Sequence, residues 1–588
     1  MRQKFFFSAF LLLVSLFSSA RTDELSRQYL TAGRIVWKQG DIRQPEILLT
    51  SNSGQSVLGN TDCCILKSTP GNTASILLDY GREMHGGLQL ITGQFASGKP
   101  VRVRIRFGES VSEAMSDVSD ETGATNDHAV RDFVTELPWL GVREFGNTGF
   151  RFVRIDLLDE NVELTLKEAT AIWVFRDIPY LGSFKSDDSR LNEIWRTGAY
   201  TVHQNMQGYI WDGIKRDRLV WIGDMHPEAM TIHSVFGDQD VLRRSLDYAR
   251  ESTPLPNMMS GMNAYSLWWI IIQRDLYLYQ GNKDFLKAQE EYLCGLVDVV
   301  AGKVGKDGRD TFGDHFLDWP SRADENASAA GFHALFILAM EAGETLCREL
   351  GAEASMRKCI EVASSLRKAA PGIVKAFFDE KIAPDAPGRK QAIALMCLAD
   401  LIPEQKAAAN LLVNGASGFS TFYGYYMLEA LAKCGKNDEA MQIVRDFWGG
   451  MLDLGATTFW EDFDIRWLQN AARIDEITPE GKVDVHLTYG GYCYKQLRHS
   501  LCHGWASGPT AWLTRHVLGL YPLAPGSRSI MIDPDMGTLK HIEGALPTPC
   551  GVVSVVLDRQ ADGRVKAVAT VPDGVSLNAS EKVELIIR

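Results

Sequence analysis

The 588-residue sequence has only ten cysteines and no CxxC pair. That is too sparse for a disulfide framework, and it lacks the spacing of zinc sites. Cys63 and Cys64 are adjacent, but vicinal disulfides are strained, so the two read as separate residues and the other cysteines as small buried hydrophobes. Basic residues are also in deficit, 61 against 74 acidic ones, for a net charge of −13. Such a surface attracts neither a phosphate backbone nor acidic lipid, which excludes a nucleic-acid or anionic-membrane partner. Long apolar runs are missing as well. The run from Phe5 to Phe17 is too short to span a bilayer. It follows Arg2 and Lys4 and precedes Ser18, Ser19 and Ala20, the pattern of an export leader over residues 1–20 with no cysteine for a lipid anchor. The expectation is secretion across the inner membrane to a periplasmic or extracellular site, without a membrane anchor.

What is present is material for a large folded mass: 45% hydrophobic and 10% aromatic residues. A chain this long exceeds one ordinary core, so two or three domains are expected. Between about residues 33 and 180 the signal is β. In 101-VRVRIRFGE-109 Val101, Val103, Ile105 and Phe107 alternate with Arg102, Arg104 and Arg106, the period of a strand with one buried face. The arginines read as a solvated face. With 86-GGLQLITG-93 and 150-FRFVRIDLLD-159 this suggests an N-terminal β-sandwich.

From residue 186 to about 520 the period becomes helical. Leu191, Ile194, Trp195, Ala199 and Val202 share one helix face after the capping stretch 187-DDSR-190. Similar segments follow without intervening strands, which disfavours a doubly wound α/β domain. A closed toroid of helical hairpins fits, and periodicity alone does not separate it from an open solenoid. From 521 to 588, short β runs separated by ADG and PDG turns predict a C-terminal β-sandwich.

Three segments carry chemistry. The stretch 209-YIWDGIKRDRLVWIGDMHPE-228 holds seven charged residues and two tryptophans in twenty positions. Asp212, Asp217 and Asp224 stand at neither helical nor strand spacing, which predicts a loop entering a helix. Carboxylates and arginines bind sugar hydroxyls and tryptophan faces stack on sugar C–H surfaces, so the mixture suits a sugar site; it equally suits a structural ion-pair web. In 455-GATTFWEDFD-464, Glu461 follows bulky Trp460, where desolvation shifts a carboxyl's protonation, or else it is a surface carboxylate at a helix start. In 499-HSLCHGWASGPTAW-512, His503 precedes Trp505. The loop-like 311-TFGDHFLDWP-320 directs Asp318 and Trp319 to a cleft.

In this order, on a helical region between two β regions, these segments resemble the bacterial α-L-rhamnosidases, family 78 of the glycoside hydrolases. The segment 76-ILLDYGREMHGGLQL-90 is similar to that family's sandwich signature. The resemblance implies an (α/α)6 barrel over 186–520 flanked by the two β-sandwiches. It implies an exo-acting enzyme releasing terminal α-L-rhamnose from an oligosaccharide or rhamnoside with inversion, without metal or cofactor. It puts Asp217 on the general-acid position and Glu461 on the general-base position. Substrate contacts fall to Asp212, Trp221, Asp224 and His503, and the composition of their surroundings adds Arg218, Trp319 and Trp460. One departure stands out: the acid position is Glu in well-known members, within RDER, and Asp217 within KRDR here, on a loop one residue shorter. An Asp carboxyl stops about 1.5 Å short of a Glu carboxyl on the same backbone. Unless the loop compensates, Asp217 becomes a binding residue and Glu228 or Asp224 donates the proton. For Asp217 to be protonated, at least one of Arg216 and Arg218 is expected to turn toward Asp212, Asp224 or the sugar. The alternatives are an unsaturated uronyl hydrolase, which requires Arg216, Arg218 and Arg466 to point inward, and a sugar-binding protein without catalysis. The sequence specifies no oligomeric state.

Overall fold

Residue alternation in the first β region produces long strands that join in one nine-stranded sheet. A computed structural model describes residues 24–588 except 52, 57 and 60; the leader read over residues 1–20 lies outside the described residues. The strand Ser75–Thr92 is antiparallel to both Val142–Leu157 and Val162–Phe175. Its register shifts around Gly86 and Gly87, where the backbones approach so closely that a Cβ on Gly86 would sit 1.8 Å from the carbonyl oxygen of Ile172. Only glycine permits that pinch. The sheet region has its own core, built from residues such as Leu78, Leu88, Ile105 and Phe150.

The strand Val101–Gly108 buries Val101, Val103, Ile105 and Phe107 as its alternation requires. Its other face is only partly solvated, which corrects the reading of its arginines. Arg102 is exposed, but Arg106 is buried and pairs with Asp156 at 2.7 Å. The cause is a short helix, α1 (Val111–Met115), which folds back over this face; the carbonyl of Met115 accepts a hydrogen bond from Arg106.

The helical region contains α2 (Ser189–Asn205), α3 (Met225–Val235), α4 (Asp240–Ser252), α5 (Asn263–Gln280), α6 (Lys283–Ala301), α7 (Glu325–Leu350), α8 (Glu353–Asp379), α9 (Arg389–Leu398), α10 (Glu404–Leu411), α11 (Gly424–Lys433), α12 (Asn437–Asp453), α13 (Val485–Thr488) and α14 (Gly508–Trp512). Local signals start several of them: the Asp188 carboxylate accepts from the N–H groups of Arg190 and Leu191 at the head of α2, and Asn282 caps α6. Helices α3, α5, α7, α9, α11 and α14 each pack against the next, and α14 returns onto α3. This closure makes the domain a toroid and not a solenoid. Every residue of α3 and α14 is buried, whereas the outer α4 buries only the stripe Val241, Leu242, Ser245, Leu246 and Ala249.

The C-terminal strands form a five-stranded and a three-stranded sheet. The larger takes Ser183–Ser186, which precedes the toroid in sequence, as an edge strand paired with His541–Thr548. This region shares one continuous core with the toroid, through Phe184, Leu518, Ile542 and Leu546.

Replacing Arg106 tests the covered face. Arg106→Ala is expected to cost about 3 kcal/mol, the low end for breaking a buried pair because Arg154 still faces Asp156. Denaturant midpoints measure it; a loss under about 0.5 kcal/mol would mark a surface arginine instead.

Candidate active site

The stretch between α2 and α3 carries a closed excursion. At its base, the Asp212 N–H donates to the Leu219 carbonyl at 3.1 Å, and the Leu219 N–H donates to Asp212 Oδ1 at 2.9 Å. At its tip the Lys215 ammonium is buried. It donates to the carbonyls of Leu497 and His499 at 2.9 and 2.7 Å and lies 3.0 Å from Glu109 and 3.4 Å from Glu113. Glu109, Glu113 and His486 converge closely enough to hold a cation, and the Lys215 ammonium occupies the two carboxylates. Burial pushes the Glu109 carboxyl up to about 7, with Lys215 pulling the other way. Between base and tip, Asp217 and Arg218 both take left-handed backbone angles, φ 55° and 57°. Such angles are uncommon outside glycine and cluster at functional sites.

The other two segments meet this loop at one mouth of the toroid. Glu461 N–H donates to Ser500 O at 3.0 Å, His503 N–H to Phe459 O at 2.9 Å, and Gly504 N–H to Asp212 O at 2.8 Å. His503 Nε2 thereby faces three carboxylates, 3.6 Å from Asp212, 3.7 Å from Glu461 and 4.0 Å from Asp224. These gaps exceed a direct hydrogen bond and suit a bridging hydroxyl. The His503 ring lies 4.2 Å from Trp505, and burial lowers its pKa to about 4, so the imidazole is neutral at pH 7.

Glu461 is buried, not a surface carboxylate. Its Oε2 accepts from the Ser500 N–H at 3.0 Å, and its Oε1 pairs with Arg216 Nη2. The same guanidinium reaches Asp217 through Nη1 at 3.4 Å, so the two carboxylates stand one guanidinium apart. Burial alone would lower the Arg216 pKa, but Glu461 and Asp217 hold it well above its usual value. Asp217 also accepts from the Trp221 indole at 3.3 Å and lies 3.5 Å from His128 Nε2. Its side chain is 23% exposed against 4% for Asp224. Asp224 begins α3 without capping it and accepts instead from the Tyr265 hydroxyl at 3.0 Å. Burial, then neighbouring carboxylates, push Asp212, Asp224 and Glu228 well above the ordinary carboxyl range. Gly504 lies against Glu228 so tightly that a Cβ there would fall 1.6 Å from Oε1.

The structure thus gathers Asp212, Asp217, Trp221, Asp224, Glu461 and His503. It places three other expected residues differently. Trp460 is fully buried, edge-on to Phe463 and His499, as deeply enclosed as Asp212 and His503. Arg218 turns away from Asp212 and Asp224, donating to Asn147 and lying over Trp211. Trp319 stands apart in an aromatic wall with Tyr492 and Tyr494, which leads to Trp505. The expected turn of Arg216 or Arg218 toward Asp212 or Asp224 also fails, because Arg216 is captured by Glu461. Sequence reasoning missed His128, Tyr265 and Lys215. Lys215 stands within the 209–228 stretch, whereas Tyr265 lies in α5 and His128 in a turn-rich stretch of the sheet region, neither with a local signal.

Residues 179–517 match the family described as bacterial alpha-L-rhamnosidase 6 hairpin glycosidase domain, and residues 519–580 match the bacterial alpha-L-rhamnosidase C-terminal domain. An alpha-L-rhamnosidase of Streptomyces avermitilis is 23% identical over 499 residues, covering 80% of this chain and 45% of that protein. The chain thus spans under half the length of that curated relative. Among solved structures, a GH78 family rhamnosidase of Bacillus sp. GL1 superposes with a TM-score of 0.71 at 20% identity, covering 90% of this chain and 55% of that one. A Klebsiella oxytoca rhamnosidase with rhamnose bound gives 0.64 at 19% identity, covering 84% and 96%. At such identities the likeness establishes the fold.

Glu228 yields a stability prediction with a defined sign. Unfolded, its carboxyl ionises near pH 4.3; folded, it keeps its proton to higher pH. Its contribution is therefore complete below that value and is lost as pH rises through the folded pKa. Glu228→Gln, which cannot ionise, is expected to gain in melting temperature relative to the parent between pH 5 and 8. A difference that stays flat across that range would contradict the assignment.

Proposed function

The chain belongs to the bacterial alpha-L-rhamnosidases of the six-hairpin glycosidase type, and from that membership we propose that it hydrolyses terminal α-L-rhamnosides by a single displacement with inversion. The observation that carries this reading is the pair Asp217 and Glu461, both held by the Arg216 guanidinium. An inverting pair stands farther apart than a retaining one, to admit a water beside the base. The Arg216 guanidinium touches both carboxylates and so keeps the two acids in one site.

In the proposed reaction Glu461, with Oε2 fixed by the Ser500 N–H, takes a proton from water as the water oxygen bonds to the anomeric carbon. The bond from that carbon to the leaving oxygen breaks and Asp217 gives its proton to that oxygen, which requires Arg216 to stay on Glu461 and release Asp217 in the substrate complex. Asp212, Asp224 and His503 bind the ring hydroxyls, and Trp221 supplies a stacking face beside the acid. Asp217 is favoured over Asp224 and Glu228 as donor because it alone combines nearness to Glu461 through Arg216 with an edge open to a departing group. The uronyl-hydrolase alternative loses support because Arg466 is exposed and paired with Asp464. We also propose export to the periplasm or beyond, on the leader pattern of residues 1–20.

Incubation with p-nitrophenyl α-L-rhamnoside and other nitrophenyl glycosides tests the activity. Release is expected from the rhamnoside, and release from none, with natural rhamnosides also intact, would overturn the proposal. Asp217→Asn and Glu461→Gln are each expected to lower kcat by about 10²-fold or more; activity above a tenth of the parent would remove that residue from its role. Trp221→Ala should raise KM, and an unchanged KM would exclude stacking there.

A further inference from the structure

Arg218 is the one cation of the acid loop without an anionic partner. Lys215 and Arg216 are each matched by carboxylates, but no Asp or Glu among the described residues lies within ion-pair range of Arg218. It donates only to the carbonyl and side-chain oxygens of Asn147, at 2.8 and 3.1 Å, while its flat face lies 4.7 Å from the Trp211 ring. These neutral contacts fix the fork without balancing its charge. Burial accordingly lowers its pKa, with no neighbouring acid to restore it. In a chain of net charge −13, a half-buried guanidinium left unmatched beside the reacting centre is an anion receptor.

Its position says which anion. Arg218 lies on the ridge between two cavities of ≈ 530 and ≈ 690 Å³. The smaller is walled by Phe133 and Phe145, with ring centroids 6.0 Å apart, and by His128, whose Nε2 is 3.5 Å from Asp217. These walls come from the N-terminal sheet region. A proton donor faces the leaving oxygen, so the group that departs lies on the Asp217 side, which His128 joins to this cavity; the Asp127 carboxylate on the same wall is paired with Arg498. Aromatic walls suit the C–H faces of a sugar ring, and cavities of this size hold more than one ring.

We propose that this cavity is a leaving-group subsite for a carboxylated sugar, a hexuronic acid whose carboxylate is received by Arg218, with Asn147 orienting the fork. The inference rests on the rhamnosidase reading and adds to it the class of glycan cleaved. It assigns to the N-terminal sheet region the choice of what is attached to the rhamnose.

The test compares a rhamnosyl-glucuronic acid disaccharide with its carboxyl-reduced form, rhamnosyl-glucose. The parent enzyme is expected to favour the acidic disaccharide at least tenfold in kcat/KM, less so as NaCl rises. Arg218→Gln should bring the ratio near one, and Arg218→Lys, which keeps charge but loses the fork, should fall between. Equal kcat/KM for the two disaccharides in the parent, or a ratio unmoved by Arg218→Gln, would overturn the subsite. If Arg218→Gln does not fold, the Lys variant and the salt series decide. Failure to cleave any rhamnoside overturns the proposed function instead. In that case NMR titration with D-glucuronate and D-glucose decides the subsite: a preference for glucuronate that Arg218→Gln abolishes supports it, and equal binding refutes it.

Discussion

The Lys215 ammonium, taken out of water and shared among Glu109, Glu113 and two carbonyls, is the constraint on which the candidate site depends. Burying a charge is costly unless it is fully paired, so the excursion from Asp212 to Leu219 has one low-energy seat. That seat fixes the next two residues: Arg216 is directed at Glu461 and Asp217 toward the mouth. The partners of Lys215 come from the N-terminal sheet region and from the segment before α14, so three distant parts of the chain must be folded before the loop is set. The sheet region is therefore part of what builds the candidate site, despite its separate hydrophobic core.

Electrostatics then sorts the acids of the site. Asp212, Asp217, Asp224, Glu228 and Glu461 crowd one end of the toroid, and they coexist because they differ in exposure and partners. Deeply buried Asp212, Asp224 and Glu228 are pushed toward the neutral form. Glu461 and Asp217 are coupled through Arg216. The neutral His503 sits among the carboxylates without adding charge. Differentiating similar acids by environment is how one pocket supplies hydrogen-bond acceptors, a base and an acid at a single pH.

Much of this was legible in the sequence where the signal is local. Asp188 announces the first toroid helix because capping involves neighbouring N–H groups. Val101, Val103, Ile105 and Phe107 announce a strand because alternation is a property of eight residues. The three motif segments also met, which their shared resemblance implied. Long-range matters were illegible. Glu113 lies 102 residues from Lys215, Ser183–Ser186 finds its partner in the last domain, and nothing near His128 signals that its loop reaches Asp217. Arg106 was misread because alternation identifies two faces but not what covers the second. For Trp460 the sequence leaves two roles open, because an aromatic beside a buried carboxylate can stack on a ligand or simply exclude water.

The account's central claim is that two carboxylates act from opposite sides of one sugar, with water between the ring and Glu461. Proton NMR of the first rhamnose released from an α-L-rhamnoside, recorded before mutarotation, tests this most directly. The account predicts that the β anomer appears first; initial release of the α anomer would require a covalent intermediate and a closely spaced pair, and would contradict it.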